Sequence, residues 1–451
     1  MTSSVASRPY RTLLVFALSF ALTFSALEWL LRALSSPMAS MMERSLLHAA
    51  LAFVGIDLAV GVVLVFTLVA RLRLEKARTP ETRTPPAVSV LLPVWNEGAG
   101  VQRTVDVWLA QEGVEFELLV GDDGSKQPVT LRPDPRVRLF HFPHAGKGAT
   151  LNALAVHARH PVLLTIDADT QPSRGALARL AEAFLDDEVE LAAGVVSISN
   201  GRDGWLTANQ SAEYLKNALA RIAWSSLGAL EQVPGAFAGI RASTFHEVGG
   251  FPIDSLTEDY ELAWRFVANG VNRGKPTKVV TVLSAQVFTE GPSTVKGLIA
   301  QRTRWFAGFL TTLMRFWHLV LEPRAGTFGL VRFPLKVIDA VLPLLAFVSL
   351  VVLVRGGVDA ALGVSTLSIA LFVTRWVWDL VVYGLALRAS RQLGDSRASA
   401  EAAPTPVVGW WLTAWEALTW VWLKHVSALR GVVFAVARVR KWEASRRLSG
   451  V

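Results

Sequence analysis

VLLTIDAD, residues 162–169, decides the fold. A short apolar and β-branched run without polar alternation marks a strand buried on both faces, as in a parallel sheet. It ends on two carboxylates, Asp167 and Asp169. Two similar runs precede it, VSVLLPV (88–94) and FELLVGDD (116–123). Helical patterns cover 99–111 and 147–158. Strands alternating with helices predict crossover units and a mostly parallel α/β sheet. Each strand runs out into polar residues: Pro93, Trp95, Asn96 and Glu97; Asp122, Asp123, Gly124 and Ser125; Asp167, Ala168 and Asp169. Ligands of open parallel sheets bind at these carboxyl ends. One acidic strand end also reads as a helix N-cap, but two on neighbouring strands point to a site. The chain has no Cys, which excludes disulfides, thiol nucleophiles and Cys-ligated metals. Several carboxylates suit a hard cation such as Mg²⁺ or Mn²⁺. Phosphate is that cation's natural partner, so a nucleotide substrate is expected. PVWNEG stands where a dinucleotide fold needs GxGxxG, and HAGKGAT (144–150) lacks P-loop spacing.

The flanks are unlike the middle. Of 451 residues, 52% are hydrophobic and 18% charged, with 16 Trp against 4 Tyr. Mean hydropathy is +0.38. These values exclude a disordered chain and argue against a purely soluble one. Residues 12–31 and 46–70 are each long enough to span about 30 Å of hydrocarbon. A cleaved signal peptide is the alternative for the first, but its apolar run exceeds an h-region and no clear small-residue cleavage site follows. Arg71, Arg73, Lys76, Arg78 and Arg83 follow the second span and mark a cytoplasmic exit. Residues 337–354 and 361–387 predict two further spans, the latter carrying Arg375 and Asp379 at pairing distance along a helix. Residues 409–436 are Trp-rich, and a basic tail follows. A cytoplasmic tail makes one full crossing there the wrong parity, so an interfacial or re-entrant element is expected. The net charge of +8 therefore reports orientation more than nucleic-acid binding, and no nucleic-acid partner is expected. The domain plan is two N-terminal spans (1–72), a basic Pro-rich linker (73–86) and a cytosolic domain (87–300). There follow interfacial helices (301–336), two spans (337–388) and a polar, Trp-rich and basic end (389–451).

The motifs PVWNEG (93–98), DDGS (122–125), GKGATLNAL (146–154), DAD (167–169), GAFAGIR (235–241), GGF (249–251), TED (257–259) and QRTRW (301–305) follow one another in order. Together they resemble the membrane-embedded family 2 glycosyltransferases, and most of all the processive poly-N-acetylglucosamine, hyaluronan, chitin and cellulose synthases. The resemblance implies a Rossmann-like GT-A domain inserted between α-helical transmembrane segments, in the cell (inner) membrane with the catalytic domain cytoplasmic. It implies that Pro93, Asn96, Glu97, Asp122 and Asp123 hold the nucleoside of a UDP-sugar and that Lys147 and Asp167 reach the nucleotide. DDGS is also a good turn sequence, so one of its two Asp residues is open to a purely structural reading. Asp169, with Asp167, would ligate the metal. Alternation along an extended chain would put both carboxylates on one side.

Asp259 would be the general base, with Glu258 beside it, though acidic residues at a helix start are also ordinary. Thr257 is a plausible N-cap of that helix. Gln301, Arg304 and Trp305 lie on a helix predicted over 293–308, next to Arg302. Arg304 would contact the diphosphate and Trp305 the acceptor sugar, with Gly235 and Phe237 also at the acceptor. Membrane anchoring is the other reading of Trp305, and packing that of Phe237. The expected activity is inverting transfer of a hexose, N-acetylglucosamine first, to a growing β-linked polysaccharide. Membrane lipids and a small accessory membrane protein are candidate partners. Two alternatives stay open: single transfer to a lipid acceptor such as polyprenyl phosphate, diacylglycerol or ceramide, and a non-catalytic membrane scaffold.

Overall fold

The structure, a computed structural model, describes residues 83–341 apart from 99, with 55, 58–71, 343–344, 380–381, 384 and 419–437. Stretch 12–31 lies outside the described residues, and 46–70, 337–354 and 361–387 lie only partly inside them. Arg375, Asp379 and most of the 73–86 linker also fall outside. Among the described residues, no helix is long and apolar enough to cross a membrane.

Strand β1 (Val88–Val94) and strand β2 (Phe116–Asp123) form over the residues expected. Helix α1 (Gly100–Leu109) connects them. Strand β3 (Val137–Phe142) precedes helix α2 (Lys147–Val156). Strand β4 (Val162–Ile166) stops one residue before Asp167. Next come the short β5 (Gln171–Pro172), helix α3 (Ala176–Ala181) and strand β6 (Val189–Ile198). The long helix α4 (Trp205–Ser226) leads to β7 (Phe237–Arg241) and α5 (Ala242–Glu247). Helix α6 (Glu258–Asn272), strand β8 (Lys278–Thr289) and helix α7 (Val295–Arg315) complete the domain.

Among the described residues, eight strands form one sheet in the order β3-β2-β1-β4-β7-β6-β8-β5. The order reverses at β1. The chain runs to β2 and β3 on one side, then returns to β4 on the other, all parallel. The loops after β1, β2 and β4 are thereby brought to one edge, beside the crevice such a reversal opens. The rest of the sheet is more mixed than expected. Strand β7 enters antiparallel between β4 and β6, and β5 pairs antiparallel with β8. Antiparallel entry places the start of β7, rather than its end, beside Ile166. The residues just before β7 therefore arrive at the same edge.

Period-two geometry sorts the strand side chains between two cores. Val88, Val90, Leu92, Val94, Leu118, Val120, Leu164 and Ile166 pack against Val101, Val105 and Trp108 of α1 and Leu177 and Leu180 of α3. Leu91, Leu119 and Leu163 pack the opposite way, against Leu151 and Leu154 of α2 and Leu262 and Phe266 of α6. Both faces are covered, which is why these strands read as unbroken apolar runs.

Helix α7 continues through the residues expected to begin an interfacial segment and ends at Arg315. A last helix, α8 (Val421–Val436), lies along it. The two backbones approach closely at Gly431. A Cβ there would stand 2.9 Å from Phe306 Cβ and 3.1 Å from the Ala307 nitrogen. The second half of the Trp-rich segment is thus a helix packed on α7 of the α/β domain, and 409–418 lies outside the described residues.

Helix α1 also grips the chain after β4. Thr104 Oγ1 donates to the Ala168 carbonyl, Trp108 Nε1 to the Thr170 carbonyl at 3.0 Å, and Gln111 Nε2 to the Ser173 carbonyl at 3.1 Å. Thr104 and Trp108, four apart, lie on one face of α1, and Gln111 follows two residues beyond its end. Trp108→Phe keeps most of the buried ring but strands the Thr170 carbonyl. A loss of about 1–3 kcal/mol is expected, read as a lower urea midpoint at unchanged slope.

Candidate active site

The DDGS carboxylates are buried and engaged. Asp122 Oδ1 accepts from the Ser125 N–H at 3.0 Å, and Oδ2 from the Val129 N–H at 3.0 Å. His141 Nδ1 lies 3.1 Å from the same Oδ2. Burial pushes the Asp122 pKa up, but the bonds from Ser125, Val129 and His141 outweigh it and hold the carboxyl below its usual range. Asp123 accepts from the N–H groups of Ala145, at 2.8 Å, and Gly146, at 3.0 Å, and His144 Nδ1 stands 3.0 Å from its Oδ2. Asp122 thus closes the turn after β2, and Asp123 ties β2 to the loop that starts α2. Asn96 joins the first loop to the second. It has left-handed φ of 57°, its N–H donates to Ser125 Oγ at 2.9 Å, and its Oδ1 accepts from the Lys126 N–H at 2.9 Å. Trp95 stacks on His144 at 4.7 Å between centroids with planes 16° apart. Pro93 is the penultimate residue of β1, and Glu97 is exposed in the loop.

Lys147 opens α2 and sits between carboxylates. Its Nζ is 2.6 Å from Asp167 Oδ1 and 3.2 Å from Glu258 Oε1. Burial alone would lower its pKa. The charges of Asp167, Glu258 and Asp259 overcome this and hold the ammonium far above its ordinary range. The DAD residues form a turn rather than an extended chain. The Thr170 N–H donates to the Asp167 carbonyl at 3.0 Å, and Thr170 Oγ1 accepts from the Asp167 N–H at 3.3 Å. Strand alternation is thus not what orients Asp167 and Asp169; the turn is, clamped from behind by α1.

Asp259 lies in the first turn of α6. Its Oδ2 accepts from the Gly235 N–H at 2.8 Å, and its Oδ1 from the Tyr260 N–H at 2.9 Å. Burial raises its pKa and the neighbouring Glu258 raises it further; Lys147 and the two N–H groups offset part of this. A Cβ at position 235 would stand 2.9 Å from Asp259 Oδ2, so only glycine leaves room for the carboxylate. Gly235, expected at the acceptor, is the seat of Asp259. Phe237, also expected there, is fully buried and packs 5.9 Å from the Trp108 ring. It has no surface to offer a sugar. Thr257 stands at the N-cap, but its side chain makes no capping bond; its hydroxyl is buried against Gly308 of α7.

Helix α7 brings the QRTRW residues to this edge. Arg304 Nη1 donates to the Leu256 carbonyl at 2.8 Å, just ahead of Thr257. Gln301 Oε1 is buried, with no hydrogen-bond partner among the described residues. Trp305 is half-buried. Arg302 pairs with Glu213 of α4 at 2.8 Å, a contact that reading the sequence did not anticipate. His141, His144, Glu213 and the donors Thr104, Trp108 and Gln111 were missed for one reason. Each acts through a partner distant in sequence, and none belongs to a motif of fixed spacing.

The donor set has a bearing on metal chemistry. Among the described residues, no three His, Asp or Glu side chains converge as a dedicated metal cage. Asp167 and Asp169 on one clamped turn fit a different arrangement, in which a hard cation takes one or two protein carboxylates and completes its shell with substrate phosphates.

The family model described as glycosyl transferase family group 2 matches residues 162–433, more than half the chain. An N-acetylglucosaminyltransferase of Rhizobium meliloti (strain 1021) is 29% identical over 257 residues, 51% of this chain and 57% of that protein. A poly-beta-1,6-N-acetyl-D-glucosamine synthase of Staphylococcus epidermidis is 25% identical over 282 residues, 60% of this chain and 66% of the relative. A beta-monoglucosyldiacylglycerol synthase of Nostoc sp. is 23% identical over 253 residues, 54% of this chain and 53% of the relative. The match thus spans between about half and two thirds of these relatives' length. With the mixed, parallel-rich sheet and the carboxylate edge it carries, the match leads to one conclusion: the chain belongs to glycosyl transferase family group 2.

Proposed function

We propose that this chain is a membrane-bound, inverting glycosyltransferase. It would move N-acetylglucosamine from UDP-N-acetylglucosamine to a growing β-linked polysaccharide, processively and with export through its apolar flanks. The catalytic domain would face the cytoplasm. One observation carries the reading: a buried carboxylate of raised pKa, Asp259, seated on the Gly235 N–H and set across Lys147 from the DAD turn. A raised carboxylate pKa suits a general base, because proton transfer is most efficient when the base's pKa approaches the working pH. Two of the relatives named above support the sugar, through the N-acetylglucosamine in their names.

In this reading Asp259 takes the proton of the acceptor hydroxyl as that oxygen attacks the anomeric carbon. One displacement inverts the centre, so an α-linked donor gives a β-linked product. Lys147 leaves Asp167 and Glu258 to meet the donor's diphosphate. Arg304, with one of its five N–H donors on Leu256, turns others to the same phosphates as charge develops there. Gln301 offers its unpartnered Oε1 to a sugar hydroxyl, and Trp305 offers a ring to a sugar face. Asp123 and Asn96 frame the nucleoside slot beneath Trp95. A divalent cation held by Asp169 and Asp167 would neutralise the diphosphate as leaving group.

A second reading, transfer of a single sugar to a lipid, is favoured by the similarity to a glucosyldiacylglycerol synthase. Product mass separates the two. Membranes carrying the chain, given UDP-N-acetylglucosamine and Mg²⁺, should yield a ladder of chains; a single-sugar lipid adduct would replace the first reading with the second.

Two variants test the chemistry. Asp259→Asn should lose about 10²–10⁴-fold in kcat; UDP release at the unaltered rate would remove Asp259 from the role of base, whereas a parent chain that releases no UDP would return it to the scaffold reading. Glu258→Gln removes a negative neighbour that raises Asp259. The base must be ionised to act, so its activity rises with pH through its pKa. The acid limb of kcat/KM should therefore move to lower pH in Glu258→Gln.

A further inference from the structure

Arg302 and Trp305 lie three positions apart on α7 and project from the same side of it. The Arg302 guanidinium stands 4.3 Å from the centre of the Trp305 ring, over its face. The same guanidinium donates to Glu213 Oε2 at 2.8 Å. Tyr214, the next residue on α4, holds its ring 6.5 Å from Trp305 with the planes 46° apart. The side chains of Arg302 and Glu213 are only 10% and 14% exposed. Burial favours the neutral form of Glu213, but Arg302, together with Lys424 and Lys216, outweighs it and keeps the carboxylate ionised.

A buried ion pair is poor evidence for stability, since two well-packed apolar side chains often serve as well or better. What this pair does provide is direction. A Trp side chain turns about two bonds, and Trp305 sits at the only ring in QRTRW. Glu213 fixes the guanidinium, and the guanidinium fixes one face of the indole.

We propose that Glu213 and Arg302 are positioning residues that hold the Trp305 ring in register for the acceptor sugar, with the cation over one face and the glycan on the other. The proposal rests on the reading of Trp305 as the acceptor platform.

The test measures KM for UDP-N-acetylglucosamine and for a soluble β-linked N-acetylglucosamine oligomer, using the full chain in its membrane. Arg302→Met and Glu213→Gln should raise the oligomer KM about tenfold while the donor KM moves less than about twofold. Arg302→Lys keeps a cation over the ring and should stay within about threefold of the parent. An unchanged oligomer KM in Arg302→Met and Glu213→Gln overturns the pair. So does a loss confined to kcat with both KM values constant, the signature of general damage to the fold. Should Arg302→Met not fold, Glu213→Gln, which preserves size and shape, decides on the same criteria. Trp305→Ala separates the two levels of the argument. If it leaves the oligomer KM unchanged, the platform reading itself falls. If it raises that KM while Arg302→Met and Glu213→Gln do not, only the positioning role falls.

Discussion

The site is organised around one ammonium group. Asp167, Glu258 and Asp259 come from two places far apart in sequence, and three carboxylates brought this close repel one another. Lys147 makes their assembly tolerable, with Asp167 on one side and Glu258 on the other. Its position at the first residue of α2 depends on the loop before it, which Asp123 fastens to β2 through two backbone N–H groups. Asn152 of α2 in turn holds the GGF turn, accepting from the Phe251 N–H at 2.8 Å and donating to the Phe251 carbonyl at 2.9 Å. Five of the eight motifs are thus linked through α2 and its leading loop. An anionic ligand entering here would add negative charge to three carboxylates that share one ammonium, so cations would have to accompany it or Lys147 leave its present partners.

The half of the sheet around β1 was open to reading because its strands are buried on both sides. Runs such as VSVLLPV and VLLTI admit few other interpretations, and motifs at their ends then mark the edge. The sequence could not disclose the antiparallel entry of β7, since FAGIR carries no sign of direction. It also misled at Phe237, where an aromatic beside small residues suggested a sugar contact and proved to be core. Gly235 was expected at the acceptor, and the group that approaches it closely is the Asp259 carboxylate. The DDGS pair was ambiguous for a physical reason: a carboxylate that closes a turn and one that binds a ligand look alike until their partners are known.

The wall formed by α7 and α8 shows how far the catalytic edge depends on residues late in the chain. Leu256, Ala307 and Ala435 share one apolar cluster, so the approach to the TED motif, the QRTRW helix and α8 are packed as a unit. Gly308 against Thr257 and Gly431 against Phe306 allow the backbones to come this close. On the far side of α6, Arg315 at the end of α7 pairs with Glu261 and with Asp254 at 2.8 Å. Movement of α7 would therefore reach the start of α6, where Asp259 lies, through both packing and charge.

The grip of α1 on the turn after β4 has a consequence for sequence drift. Thr104, Trp108 and Gln111 meet three carbonyls that flank β5, whose own antiparallel pairing with β8 covers only two residues. One residue inserted between Thr104 and Trp108 would rotate Trp108 by about 100° around the axis of α1 relative to Thr104 and put Gln111, just past the helix end, out of step with both. At least one of the three carbonyls would be left facing nothing. Insertions before Gly100 or after Gln111 would leave the three side chains in phase. Length variation in this part of the chain should thus be confined to the loops on either side of α1, with the interval from 104 to 111 kept constant in length even where its residues change.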